Sequence, residues 1–209
     1  MPYYPAAMPE NNPAFQMIRY VIIPAAMLVV SCGVLRPVKD SSESHLLDPA
    51  VPERAITGSV PAVAIARPSL PGYLDRQQLI SRGGHGRVMM NRNHLWAEPL
   101  DAGISRVTAA NLGRLKNSLN ILPVESFVTM DYDMLLEIRV TRFEPDENGA
   151  LVLECTWKLQ PVHGPAADPR PFRTVIAEGG PFAPSGPQHM RVMAMNDALA
   201  RLAREISRF

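Results

Sequence analysis

The sequence predicts an α/β or α+β sandwich built on a mixed β-sheet, and three observations carry that expectation. Residues 134–159 alternate apolar and polar side chains through a strand, a Pro-Asp-Glu-Asn-Gly turn at 145–149 and a second strand. Residues 100–115 repeat apolar side chains every three or four positions, as one face of a helix does. Residues 188–207 do the same at the C-terminus. Helices separated by strands must bury their apolar stripes against a sheet.

The elements follow in order. A short strand falls at 44–47. Residues 48–61 are proline-marked and read as linker or loop. Residues 62–67 set Val63 and Ile65 among small neighbours, which suits a strand, and residues 68–72 break it. Strands at 77–81 and 87–91 flank Gly83-Gly84-His85-Gly86 and form a hairpin. Pro99 suits the first turn of the next helix, where its missing N–H costs nothing. Leu100, Ile104, Val107 and Leu115 line the buried side of that helix, and Leu112 widens the stripe. Met134, Leu136, Ile138, Val140 and Arg142 share one face of the first long strand. Leu153, Cys155 and Trp157 share one face of the second. A further strand spans 172–177, and Val192, Met195, Leu199, Leu202 and Ile206 mark the buried side of the last helix.

Composition narrows the function classes. A hydrophobic fraction of 46% supplies a core, and 21 Lys and Arg against 20 Asp and Glu leave no basic face for nucleic acid. Two cysteines, Cys32 and Cys155, exclude a disulfide framework and a multi-cysteine metal site. The five histidines have no HExxH spacing and no cysteine or acidic cluster near them in sequence, so no metal is expected. Gly83-Gly84-His85-Gly86 lacks the Lys-Ser/Thr of a phosphate loop. Asp131 with Asp133, and Asp146 with Glu147, read as solvated strand ends. Cys155, on an apolar strand face, reads as a buried, inert thiol.

The N-terminal segment has its own logic. Arg19 precedes an uncharged, mostly apolar stretch at 20–35, interrupted by Pro24. A bilayer span takes ~20 apolar residues, so the run is short for a permanent anchor and reads as a secretory signal over 1–31. Met17 would make a tidier start, the 16 residues before it being a misassigned start or a longer leader. Leu28-Val29-Val30-Ser31-Cys32-Gly33 resembles the lipobox of bacterial lipoproteins. That resemblance implies cleavage before Cys32 and a diacylglycerol on its thiol. Several acyl chains together give stable anchoring. Residues 32–61 then become a lipidated tether and linker, and 62–209 the folded domain. Gly33, standing where an Asp would favour inner-membrane retention, tilts the expectation to the outer membrane.

Two further motifs point to a family. Pro71-Gly72-Tyr73-Leu74-Asp75-Arg76-Gln77-Gln78-Leu79 resembles the P-x-Y-L-D-R-P-Q-I-V-x-R signature of the ABC-type transport auxiliary lipoprotein components, among them the paraquat-inducible protein C lipoproteins. Asn93-His94-Leu95-Trp96-Ala97-Glu98-Pro99-Leu100 resembles the second signature, N-x-R-W-A-E-P-L. The likeness runs from about residue 44 to 206. Gln77 and Leu95 depart from it, standing where proline and arginine are common. The resemblance implies a three-layer α/β sandwich like the amino-terminal domain of the periplasmic protein TolB. It implies a non-enzymatic outer-membrane lipoprotein, with no cofactor beyond its acyl anchor, working beside a periplasm-spanning MCE-domain (mammalian-cell-entry type) protein and its ABC or permease components in lipid transport. It also implies assembly as a homo-oligomeric ring.

The signature side chains have two readings. Tyr73 and Leu74 plug the core edge while Asp75 and Arg76 pair or cap, or the segment lines a partner or subunit interface. Trp96 and Glu98 carry the same pair of readings, with Trp96 expected to pack as a staple where the helix begins. A free-standing lipid-binding lipoprotein is the alternative function. A periplasmic hydrolase would need a polar triad or metal set that the sequence does not offer.

Overall fold

The computed structural model describes residues 41–126, 131–176 and 188–209. Cys32, Met17 and the signal segment lie outside the described residues. The folded unit runs from Ser42 to Phe209 and contains eight strands and two long helices among those residues. In order they are β1 (Glu43–His45), β2 (Val63–Ile65), β3 (Gln78–Arg82), β4 (Val88–Trp96), α1 (Leu100–Lys116), β5 (Ile121–Pro123), β6 (Met134–Pro145), β7 (Leu151–Pro161), β8 (Arg170–Ile176) and α2 (Gln188–Ile206). No described helix is long and apolar enough to cross a membrane.

The fold is α/β, and its strands divide between two mixed sheets. In the smaller sheet β4 pairs parallel with β1 and antiparallel with β3. In the larger, β2 lies between β5 and β6, parallel to both, and β7 and β8 continue antiparallel. Ala64 and Ile65 of β2 are fully buried, as a central strand requires. The hydroxyl of Ser105 on α1 donates to the Ile65 carbonyl at 3.2 Å and ties helix to strand. Helix α1 buries Leu100, Ile104, Val107 and Leu112, as its periodicity expects, whereas Leu115, expected on the same side, is only partly buried. It stops at Asn117, which takes the left-handed conformation (φ 53°) and donates its N–H to the Gly113 carbonyl. Helix α2 buries Ala194, Ala198 and Ala203 beside its leucines, small side chains that let a helix lie close to its neighbours.

The β6–β7 ladder departs from simple alternation at one point. The pairing steps from Val140↔Cys155 to Arg142↔Glu154, so Thr141 is an extra residue on β6. Such a bulge inverts the side-chain phase. Leu136, Ile138 and Val140 are buried before it, and Phe143 takes over the buried phase after it, opposite Leu153. Arg142 therefore leaves the apolar face that unbroken alternation assigned to it. At the hairpin tip the carboxylate of Asp146 accepts the amides of Asn148 and Ala150, and Gly149 takes a φ of 79°. Asp146 is thus a turn-forming group, and Asp133 likewise accepts the Ala62 amide at 2.8 Å.

Three expectations need correction. Residues 48–61 are not free linker over their first part. Leu47 and Val51 are buried, the Val51 amide donates to Asn111 Oδ1 at 3.0 Å, and Arg114 donates to the carbonyls of Pro49 and Val51. These groups on α1 capture the segment. Strand β5 was not expected, since three residues are too few to show a period. Strand β4, expected to end at residue 91, runs on to Trp96, because its last three residues pair with β1.

Burial of Cys155 pushes its thiol up to about 12, far from the thiolate that alkylating reagents need. Native protein at about pH 8 is expected to leave Cys155 unmodified by iodoacetamide, whereas guanidinium-unfolded protein labels fully. Peptide mass spectrometry reads the difference, and rapid labelling of the native form would contradict the buried position.

Candidate functional site

The loop between β2 and β3 is turned inward by its own backbone. The Leu74 amide donates to the Pro71 carbonyl at 2.9 Å, which closes a turn and aims Leu74 into the core, where it is 1% exposed. Beside it the Tyr73 hydroxyl donates to Glu144 Oε2 at 2.9 Å and accepts from Arg82 Nη2 at 3.0 Å. The Arg82 guanidinium also sits 5.3 Å from the centre of the Tyr73 ring.

Glu144 is the centre of this arrangement. Its side chain has no exposed surface. Oε1 accepts from Arg82 Nε at 2.8 Å and Arg142 Nε at 3.2 Å, and Oε2 accepts from Tyr73 and from the Phe143 amide at 2.9 Å. Four donors, two of them cationic, therefore serve one carboxylate, which is what a buried charge requires. Burial first, and then the Glu144 charge, push the Tyr73 hydroxyl up to about 12. Tyr73 stands out in the sequence, and the final arginine of the same signature falls on Arg82. Glu144 follows the bulge, and nothing in its local pattern marks it as buried.

The second signature behaves in the same way. The Trp96 indole is 8% exposed and packs with Leu74, Leu79, Leu100, Phe143 and Met195 around a void of about 10 Å³. It joins the first signature to α1 and α2. Glu98 accepts from Arg106 Nη2 at 2.6 Å, and the same Nη2 donates to the Leu47 carbonyl at 2.7 Å. Gly103 makes room for this pair, since a Cβ there would stand 2.9 Å from Glu98 Oε1. Gly103 went unnoticed in the sequence because glycine inside a helix has many uses.

Of the six signature side chains, Tyr73, Leu74, Trp96 and Glu98 thus face inward or form internal pairs, whereas Asp75 and Arg76 are exposed. Strand β4 adds accessible surface: β1 pairs only with its last three residues, and Val88 and Met90 stand 38% and 49% exposed on the stretch before them. Elsewhere, a cavity of about 200 Å³ opens between Val63, Leu112, Ile121, Leu136, Leu159 and Ile206. The parallel pairing of β1 with β4 also brings Glu43, His45 and His94 together, an association that sequence spacing hides.

Glu144→Gln leaves two guanidinium groups facing a neutral amide. We expect it to lower unfolding free energy by about 3 kcal/mol, measured by urea titration. Tyr73 tests the same network from the alkaline side. Its folded pKa lies above its unfolded value near 10, so its contribution is complete below pH 10 and is lost as pH rises towards about 12. Tyr73→Phe should flatten the fall in stability through that window, and an unchanged slope would exclude Tyr73 as its source.

Comparisons with known proteins agree with the geometry. No curated protein matches the sequence. The crystal structure of an uncharacterized protein superposes with a TM-score of 0.61 at 20% identity, covering 80% of this chain and 97% of the other. The crystal structure of a Xanthomonas campestris protein superposes at 0.58 and 19% identity, covering 79% and 90%. At these identities the likeness establishes the fold. The sequence profile of the ABC-type transport auxiliary lipoprotein components matches residues 45–207, which is nearly the whole folded unit. The chain therefore belongs to that family, one of transport components rather than enzymes and of membrane-associated lipoproteins.

Proposed function

We propose that the protein is a non-catalytic, outer-membrane lipoprotein subunit of an MCE-type lipid transport system. In this reading Cys32 carries the acyl anchor, copies of the chain assemble as a ring, and the folded domain docks a periplasm-spanning MCE-domain partner. The observation that carries it is the family match over 45–207, through a fold whose signature side chains are spent on internal contacts. Tyr73, Arg82 and Glu144 satisfy one another, and Glu98 is held by Arg106. Such groups shape a surface rather than perform chemistry. Asp75, Arg76 and the edge of β4 that stands unpaired among the described residues then offer the accessible part of that surface. An unpaired strand edge favours partners that add a strand.

A free-standing lipid binder is the second reading, favoured by the apolar cavity beside β2. Its volume of about 200 Å³ falls below the roughly 300–1,000 Å³ of small-molecule pockets, too little to enclose a whole lipid.

Cys32→Ser is expected to abolish incorporation of labelled palmitate and to release the protein from the membrane. Label persisting on the substituted chain would refute the anchor. Affinity purification of the tagged wild-type chain from membranes in mild detergent should recover an MCE-domain protein. Repeated recovery without one, with its gene expressed, would refute the partner.

A further inference from the structure

Three donor atoms converge at the edge of the smaller sheet. His45 Nε2 and His94 Nδ1 lie 2.9 Å apart, and His94 Nδ1 lies 3.5 Å from a carboxylate oxygen of Glu43. All three donor atoms fall within 4.8 Å of one another. The cause is the register of β1 on β4. Glu43 and His45 are two residues apart and so share a face, and His94 is the direct partner of Glu43 across the parallel ladder.

We propose that Glu43, His45 and His94 form a binding site for a divalent transition-metal ion of the zinc class. Metal–nitrogen and metal–oxygen bonds of about 2.0–2.1 Å at tetrahedral angles put ligand atoms about 3.3 Å apart. The two separations, 2.9 and 3.5 Å, bracket that value. The imidazoles already point their facing nitrogens at each other and share one proton. Coordination needs that proton to move to the outer nitrogen of the same ring, so both rings stay neutral. Glu43 supplies charge and is 69% exposed, which gives the ion a route in from solvent. Two imidazoles and one carboxylate select zinc and its borderline neighbours over magnesium and calcium, which favour all-oxygen sites. Water completes the fourth position in the manner of three-ligand sites. His189, in the first turn of α2, is near enough to act on His45 electrostatically without joining the cluster.

The consequence is mechanical. Strand β1 has only three residues and lies at a sheet edge, and the ion would clip it to β4 across 49 residues of sequence. Cross-links that close long loops restrict the unfolded chain most.

The test uses the full-length chain purified in detergent, stripped with a chelator and titrated with zinc against a chromophoric competitor. One zinc per chain is expected, with magnesium not competing. His45→Ala and His94→Ala should each weaken binding by more than about tenfold, and the turn variant His85→Ala should not. No zinc binding, or affinity unchanged in both strand variants, overturns the proposal. Should either variant fail to fold, the wild-type chain decides by diethylpyrocarbonate modification read by peptide mass spectrometry. Zinc protecting His45 and His94 but not His85 or His163 supports the site, and equal modification with and without zinc overturns it.

Discussion

The buried carboxylate of Glu144 is the constraint on which the junction of the two sheets depends. An ionised group in the interior must collect donors or destabilise the structure. Glu144 collects them from three places: Tyr73 in the β2–β3 loop, Arg82 in β3 and Arg142 beside it on β6. Those contacts fasten the smaller sheet to the end of the larger one. They also fix the β2–β3 loop in the turn that drives Leu74 into the core. The Thr141 bulge makes this possible, because it places Phe143 on the apolar face and frees Glu144 for the opposite one.

Much of the architecture was legible in the sequence because it is local. Alternation through β6 and β7 and the stripes of both helices depend on residues close in the chain. The departures all come from long-range pairing. The bulge at Thr141 interrupts a pattern whose two halves each look regular, so Arg142 reads as facing the apolar side. Strand β5 exists because β2 offers it a parallel edge, and nothing within residues 121–123 announces that. Val51 is held by Asn111 and Arg114, and Leu47 by Arg106, from a helix some sixty residues later.

The signature residues show the same division. Tyr73 and Trp96 could be singled out from sequence, but their pairings could not. Trp96 finds its place because β3 and α1 deliver Leu79 and Leu100 to the same spot. The association of Glu43, His45 and His94 is harder still to foresee. Metal-site patterns assume ligands on one helix, hairpin or knuckle, whereas parallel strands far apart in sequence leave no characteristic spacing.

The capture of Leu47 and Val51 by α1 also sets a length. With the folded unit beginning at Ser42, only ten residue steps lead to it from Cys32, with nine residues between, against thirty steps had it begun at residue 62. Fully extended, ten residues reach about 33–36 Å. If Cys32 carries the acyl chains, as proposed, that length is the upper bound on how far Ser42 can stand from its anchor. A partner docked on the domain is then held close to the membrane that carries the anchor.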